Sequence, residues 1–511
     1  MITISGTALS KINRDSVEYA ALVSAHKRLA VKDPTIWGEK AQAEAAIRLN
    51  WIDLPESSRD LLPQLDALAA RHRNKSHVIL CGMGGSSLGP EVIAQSFTKK
   101  LFVLDSTDPN YVAHALEMDL SSAVVIVSSK SGSTIETASQ RALFETAFQG
   151  AGLDPAEHMV FVTDPGSPLD QQLRQGGFTV INADPQVGGR FSVLSAFGLV
   201  PAALIGVDVS VLLDSASDAQ RAFLSDPTLV CDIAYLLAFV AQQYVSFTDA
   251  DSDMPGLSDW IEQLVAESTG KNQIGRLPIV AESLEAGAEG NAFSISYSGD
   301  TDLVLHAELA AHFIIWEWVT ALVGSALCID PFNQPNVTEA KEQTSLLLNQ
   351  WQGQLPSFEA DAMSGAVEIF GKGSDVKAAL QALIASTPED GYIAVMAYLD
   401  RRDDIKIVEL RRLLAQSSGR PVTFGWGPRF LHSTGQFHKG GQQNGAFLQI
   451  TGSVTKDVAI PGQIFGFETL IAAQALGDGK ALASRKYPLL RLHLKSRAVG
   501  IDELLDAARN L

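Results

Sequence analysis

The residues able to do chemistry sit in six short stretches. C-G-M-G-G-S-S-L-G-P, from Cys81 to Pro90, follows an apolar run and opens a helix. Gly84 and Gly85 permit close backbone approach, and Ser86 brings a hydroxyl to a helix N-terminus, which suits a phosphate or a sugar hydroxyl. The plain alternative is a tight strand-to-helix connection, since the string is neither a Walker loop nor G-x-G-x-x-G. V-S-S-K-S-G-S-T-I-E-T, from Val127 to Thr137, sets Ser129, Ser131, Ser133 and Thr134 around Lys130. An ordinary N-cap uses one hydroxyl; four in six positions predict an anion cradle completed by backbone N–H groups.

The other four stretches carry charge. Arg190 follows Gly188 and Gly189 and precedes an apolar helix, so its guanidinium is expected at a domain edge, either stabilising a developing oxyanion or in a surface ion pair. Glu267, in E-S-T-G-K, ends a helix that starts near Leu257, with Gly270 as its cap. A carboxylate there meets an unfavourable helix dipole, which suits a proton carrier; an exposed helix-end glutamate is the alternative. D-P-F-N-Q-P-N-V-T-E-A-K, from Asp330, is a proline-bracketed turn that ends on Lys341, which alone would be a solvated lysine. L-H-S-T-G-Q-F-H-K-G-G, from Leu431, holds His432 and His438, candidates for proton transfer near neutral pH if they are more than polar loop residues.

Elements must place these side chains. Apolar positions at helical spacing over residues 15–75 predict a helical N-terminal segment, 1–75. Short buried runs at 77–81, 101–104, 123–128, 159–163 and 179–182 alternate with helical stretches and predict a parallel sheet covered by helices, an α/β domain at 76–210. A second domain at 225–345 is expected to hold long apolar helices at 231–246 and 307–327 and strands at 277–281 and 293–298. Strands at 392–396, 422–424 and 446–450 predict a third α/β unit at 365–511.

The 511 residues carry 39 Lys and Arg against 58 Asp and Glu, a net charge of −19. That balance repels nucleic-acid phosphates and anionic membranes, while leaving room for a small anion at a local positive site. Cys81, Cys231 and Cys328 lack metal spacing and are expected as reduced core thiols, with no metal bound. The absence of a signal-like N-terminus points to the cytoplasm, and the apolar stretches 194–207 and 319–329 are too short for a membrane span.

Taken in order, five of these motifs resemble the phosphoglucose isomerase family: G-M-G-G-S-S-L-G-P, S-K-S-G-S-T-I-E-T, V-G-G-R-F-S-V-L-S, E-S-T-G-K and P-F-N-Q-P-N-V-T-E-A-K. The resemblance runs over about 76–345 and implies two sugar-isomerase (SIS) type domains. F-G-W-G-P-R-F-L-H-S-T-G-Q-F-H-K-G-G and A-Q-A-L-G-D-G-K-A-L are similar to the isomerase half of bifunctional transaldolase/glucose-6-phosphate isomerases. It implies interconversion of glucose 6-phosphate and fructose 6-phosphate through a cis-enediol, without metal or organic cofactor, in a homodimer. Residue by residue it implies phosphate binding by Ser129, Ser131 and Thr134, with Ser86 near the sugar. Glu267 matches the base that moves the proton between C2 and C1, Arg190 the cation facing the enediolate, and Lys341 a partner in ring opening.

The family's ring-opening histidine lies between its glutamate and lysine motifs, and this chain has only His306 and His312 there, in an apolar run. T-G-Q-F-H at 434–438 is similar to the missing signature, which makes His438 the first candidate, His432 the second and a histidine of another subunit the third. Two other functions fit the phosphate loop: a non-catalytic sugar-phosphate sensor, and an isomerase of another sugar phosphate such as mannose 6-phosphate. A transaldolase would need a Schiff-base lysine on an eight-fold barrel, which the strand pattern does not suggest.

Overall fold

The computed structural model describes residues 2–287 and 289–511. Three mixed or parallel sheets organise the chain, and helices cover them. The first runs, in space, Phe102–Leu104, His77–Gly82, Ala123–Ser128, Met159–Thr163, Thr179–Asn182, all parallel. The A-V-V-I-V-S strand is buried at every position, as a strand covered on both faces requires. Numbered along the chain, the order is 2-1-3-4-5, a doubly wound sheet whose switch point falls between its first and third strands.

The second sheet places Leu277–Val280, Tyr244–Thr248, Phe293–Ser296 and Leu303–His306 in the same 2-1-3-4 order. Thr3–Ser5 pairs antiparallel along its Leu303–His306 edge. The third sheet repeats 2-1-3-4 with Val422–Trp426, Tyr392–Tyr398, Gly445–Gly452 and Leu489–Leu494, then adds the antiparallel strands Val367–Phe370 and Ala362–Ser364.

Five helices matter for the site: α1 (Leu88–Ser96), α2 (Ile135–Gly150), α3 (Leu257–Thr269), α4 (Val337–Trp351) and α5 (Phe467–Ser484). The last two pack lengthwise. A Cβ on Gly477 of α5 would lie 2.9 Å from the backbone nitrogen of Thr344 in α4, so only glycine allows this approach.

The expected strands of the first sheet are present within one residue and those of the other two sheets with ends shifted by up to two, while some other elements differ. The helix expected over 231–246 ends early: it runs from Thr228 to Tyr235, widens over Leu236–Val240, and gives way to the strand Tyr244–Thr248. Buried Arg276 donates to the carbonyls of Leu237 at 2.6 Å and Ala238 at 2.7 Å, satisfying the helix end, and V-S-F-T then suits a strand between two neighbours. The N-terminal segment is not wholly helical, because Thr3–Ser5 belongs to the second sheet. The helix Leu309–Ala326 is long and apolar enough to cross a membrane, but 89% of it is buried within the fold. Cys81 and Cys231 are buried, whereas Cys328 is exposed and so departs from the core-thiol expectation.

Candidate active site

A cavity of about 190 Å³ opens at the switch point of the first sheet. The turn after its first strand supplies Gly84, Gly85 and Ser86, and the turn after its third strand supplies Ser129, Lys130, Ser131 and Thr134. Arg190, Glu267, Lys341 and His432 line the same cavity, so four separated motifs converge on it.

The glycine turn is required by what crosses it. A Cβ on Gly85 would fall 1.9 Å from the carbonyl oxygen of Gly189, and one on Gly84, at φ +54°, would meet the Gln263 amide at 2.7 Å. Bare backbone therefore lets the Arg190 turn and α3 close over the first strand.

The serine loop precedes the N-terminus of the 16-residue helix α2. Ser129 Oγ accepts from the Gly132 N–H at 3.1 Å, and the Ser131 and Ser133 hydroxyls bond each other at 2.8 Å. Ser133 is exposed and does not line the cavity. The Lys130 ammonium is held by Asp164 at 2.8 Å and by the Pro185 carbonyl at 3.0 Å. To an anion the loop thus offers hydroxyls, N–H groups and a helix dipole more than the lysine charge.

Arg190 is buried and fully engaged. Its Nε donates to Ser268 Oγ at 2.8 Å, Nη1 to Gln334 Oε1 at 3.1 Å, and Nη2 to the carbonyls of Pro331 and Asn333. The proline-bracketed motif is therefore the seat of this guanidinium as well as the source of Lys341. Nη1 also lies 3.3 Å from Glu267 Oε1, and burial lowers the Arg190 pKa against the pull of that carboxylate. Gln263, one turn earlier on α3, donates to Glu267 Oε2 at 3.2 Å and to the His432 carbonyl at 2.9 Å. The carboxylate is thus fixed from both oxygens.

The two histidines of the C-terminal loop have opposite fates. His438, the first candidate from sequence, does not line the cavity. It is buried, its Nδ1 lies 3.0 Å from the Tyr392 hydroxyl, its ring stacks on Tyr392, and burial lowers its pKa to about 3. His432, the second candidate, faces the cavity with Nε2 3.1 Å from Glu136 Oε1. The cause is the chain path: the short turn Arg429–His432 ends at the cavity, and the helix Gly435–Gly440 then turns the T-G-Q-F-H string into the core. His306 ends a strand and His312 is fully buried, its pKa lowered to about 3 by burial.

Sequence reasoning quoted Glu136 within a motif and gave it no role. Gln474 of α5 also donates to its Oε1, at 2.7 Å, and Thr107 donates to Gln474 at 2.5 Å. Burial raises the Glu136 pKa, but the charge of His432 and its hydrogen bond outweigh this and hold it below the usual value. The available signal was an acid in the first turn of a helix after an anion loop. Gln263 gave none, and Gln474 was quoted within a string without a role, because only the tertiary fold brings them in.

A switch-point cavity with a hydroxyl anion loop, a fixed carboxylate and a buried guanidinium defines an α/β protein of the sugar-phosphate isomerase type. Residues 68–275 match the family described as "PGI: Phosphoglucose isomerase". It is 29% identical over 309 residues to a "Probable glucose-6-phosphate isomerase" of Haloarcula marismortui, a match covering 59% of this chain and 70% of that protein. It is 36% identical over 215 residues to the "Glucose-6-phosphate isomerase" of Synechococcus sp. (strain JA-3-3Ab), covering 39% of this chain and 40% of that protein. With the Campylobacter jejuni glucose-6-phosphate isomerase the match spans 53% of the relative, so most of these alignments cover about half of the relative's length. A crystal structure of a glucose-6-phosphate isomerase from Chlamydia trachomatis has the same fold, with a TM-score of 0.54 at 19% identity over 70% of this chain and 89% of that one.

Proposed function

We propose that this chain interconverts glucose 6-phosphate and fructose 6-phosphate by opening the sugar ring and moving one proton through a cis-enediol. The observation that carries this reading is the placement of Glu267 3.3 Å from the buried Arg190 beside the anion loop. The phosphate is held by Ser129, Ser131, Thr134 and the N-terminus of α2, which sets the carbon chain across the cavity toward α3. Glu267 takes the proton from C2 and returns it to C1, and one carboxylate suffices because the two carbons are neighbours. Arg190 stands where negative charge develops on the enediolate oxygen, already desolvated and oriented. Ring opening falls to His432 with Lys341. Glu136 accepts from Nε2–H of His432, which fixes the tautomer and leaves Nδ1 for the substrate.

A sensor would keep the serine loop and have no use for Glu267, Arg190 and Lys341 around one cavity. The test is conversion of fructose 6-phosphate to glucose 6-phosphate by the purified chain and by Glu267→Gln. Turnover lost in a variant that still binds the sugar phosphate supports the reading; binding without turnover in both supports a sensor.

A further inference from the structure

A second cavity, of about 300 Å³, lies at the carboxyl ends of Tyr244–Thr248, Leu277–Val280 and Val422–Trp426, where the second and third sheets meet. It backs onto the candidate active site. Glu262 lines it while the adjacent Gln263 holds Glu267, and Ser433 lines it while the adjacent His432 faces the catalytic cavity.

Its charges do not balance. Asp249, Asp259, Glu262 and Glu282 face it, against Arg411 and Arg429. Both cations are already committed: Arg411 pairs with Glu282 through Nε at 2.7 Å and Nη2 at 2.5 Å, and Arg429 Nη1 lies 2.9 Å from Glu91 and 3.3 Å from Asp105. Glu262 is only 7% exposed and makes no hydrogen bond or ion pair among the described residues. Among the described residues Asp259 pairs only with Arg429, at 3.8 Å, and its side chain is 45% exposed. Burial raises the Glu262 pKa well above the carboxylate range and lifts Asp259 to about 6, in each case against the pull of the Arg429 charge, which is shared with Glu91 and Asp105. Phe424 and Trp426, with rings 5.0 Å apart, supply an aromatic wall.

We infer that this cavity is a second ligand site that takes a small organic ammonium ion. A buried carboxyl aimed into a cavity, two more acids at its rim and an aromatic face together match an ammonium group on a short apolar stem. Its position behind Gln263 and Ser433 gives an occupant two short paths to the groups that hold Glu267 and His432. The site stands whether or not the isomerase reading does.

The experiment is titration calorimetry of the full chain with putrescine, ethanolamine and choline, and with uncharged 1,4-butanediol and magnesium chloride as controls. At least one amine is expected to bind with one-to-one stoichiometry, and butanediol not at all. Affinity should fall at least tenfold in Glu262→Gln and in Asp259→Asn, the latter a rim change that leaves the core untouched. Glu267→Gln should bind the amine as the parent does, which separates this result from any loss of turnover. The inference is overturned if no amine binds, if both rim and core variants bind as tightly as the parent, or if magnesium binds and the amines do not.

Discussion

The first α/β unit and the C-terminal unit share the 2-1-3-4 strand order yet serve the cavity by different means. The first unit contributes backbone and hydroxyls at its own switch point, from two turns that each follow a strand directly. The C-terminal unit contributes side chains that reach away from its sheet: His432 from the turn after Val422–Trp426, and Gln474 from a helix that holds the partner of that histidine. The proposed anion loop is therefore local in sequence. The proposed proton-handling group is assembled between units, through Glu136, which belongs to one and is bonded by the other.

The strongest test of that division is Glu267→Gln, which leaves both units intact and removes the carboxylate proposed as the base between them. Turnover should fall by about 10²- to 10⁴-fold with sugar-phosphate binding retained, read from kcat and from direct binding. Equal turnover would place the base elsewhere.

Next come the paired variants His432→Gln and His438→Gln. The first should lower turnover of the cyclic sugar by about 10²-fold, with a much smaller effect on open-chain substrate. The second should leave kcat within a few fold and cost about 1 to 3 kcal/mol of stability, because it strands the buried Tyr392 hydroxyl. Denaturant midpoints and kcat measured on both decide it, and the reverse pattern would exchange their roles.

A smaller effect is expected from Gln474→Leu, which deletes the C-terminal unit's grip on Glu136. We expect a loss of about threefold to tenfold in kcat and an upward shift of the acidic limb of the pH–rate profile, since one bond that favours the Glu136 carboxylate is gone. An unchanged profile would leave Gln474 with packing alone.

The smallest signal is in stability against pH. The folded-state pKa of His438 is lowered from 6.5 to about 3, so the unfolded chain binds the extra proton between those values. Its contribution is present above pH 6.5 and is lost as pH falls toward 3, at a slope of about 1.4 kcal/mol per pH unit. His438→Gln should flatten the fall of unfolding free energy between pH 6.5 and 5 by about that slope; a parallel curve would mean that His438 is already charged in the fold.

These contrasts track what could be read from the letters. The glycine turn, the serine loop and the arginine turn were legible because each needs unusual backbone or hydroxyl density within ten residues; the fold presents the first two on adjacent strand ends and packs the third against the glycine turn. The first sheet was legible because both of its faces are buried and its strands are unbroken apolar runs. The strand Tyr244–Thr248 was not, because it continues an apolar helix without a break, and the stop comes from Arg276 far along the chain. Which of the two histidines faces the cavity was not legible, because T-G-Q-F-H resembles a signature as a string, while the direction of each ring depends on where a four-residue turn ends and a six-residue helix begins. Gln474 stood in a quoted string, but its role was not legible, since its partners lie 338 and 367 residues away.

The antiparallel pairing of Thr3–Ser5 with Leu303–His306 has a consequence for synthesis. Thr3–Ser5 is made some 300 residues before its partner, which at typical elongation rates is roughly 15 to 60 s. Until then the nascent chain carries a loose strand, a template for wrong pairing. A chaperone that shields the N-terminus during this interval, or a fusion that crowds it, should change the yield of folded protein far more than it changes the finished molecule.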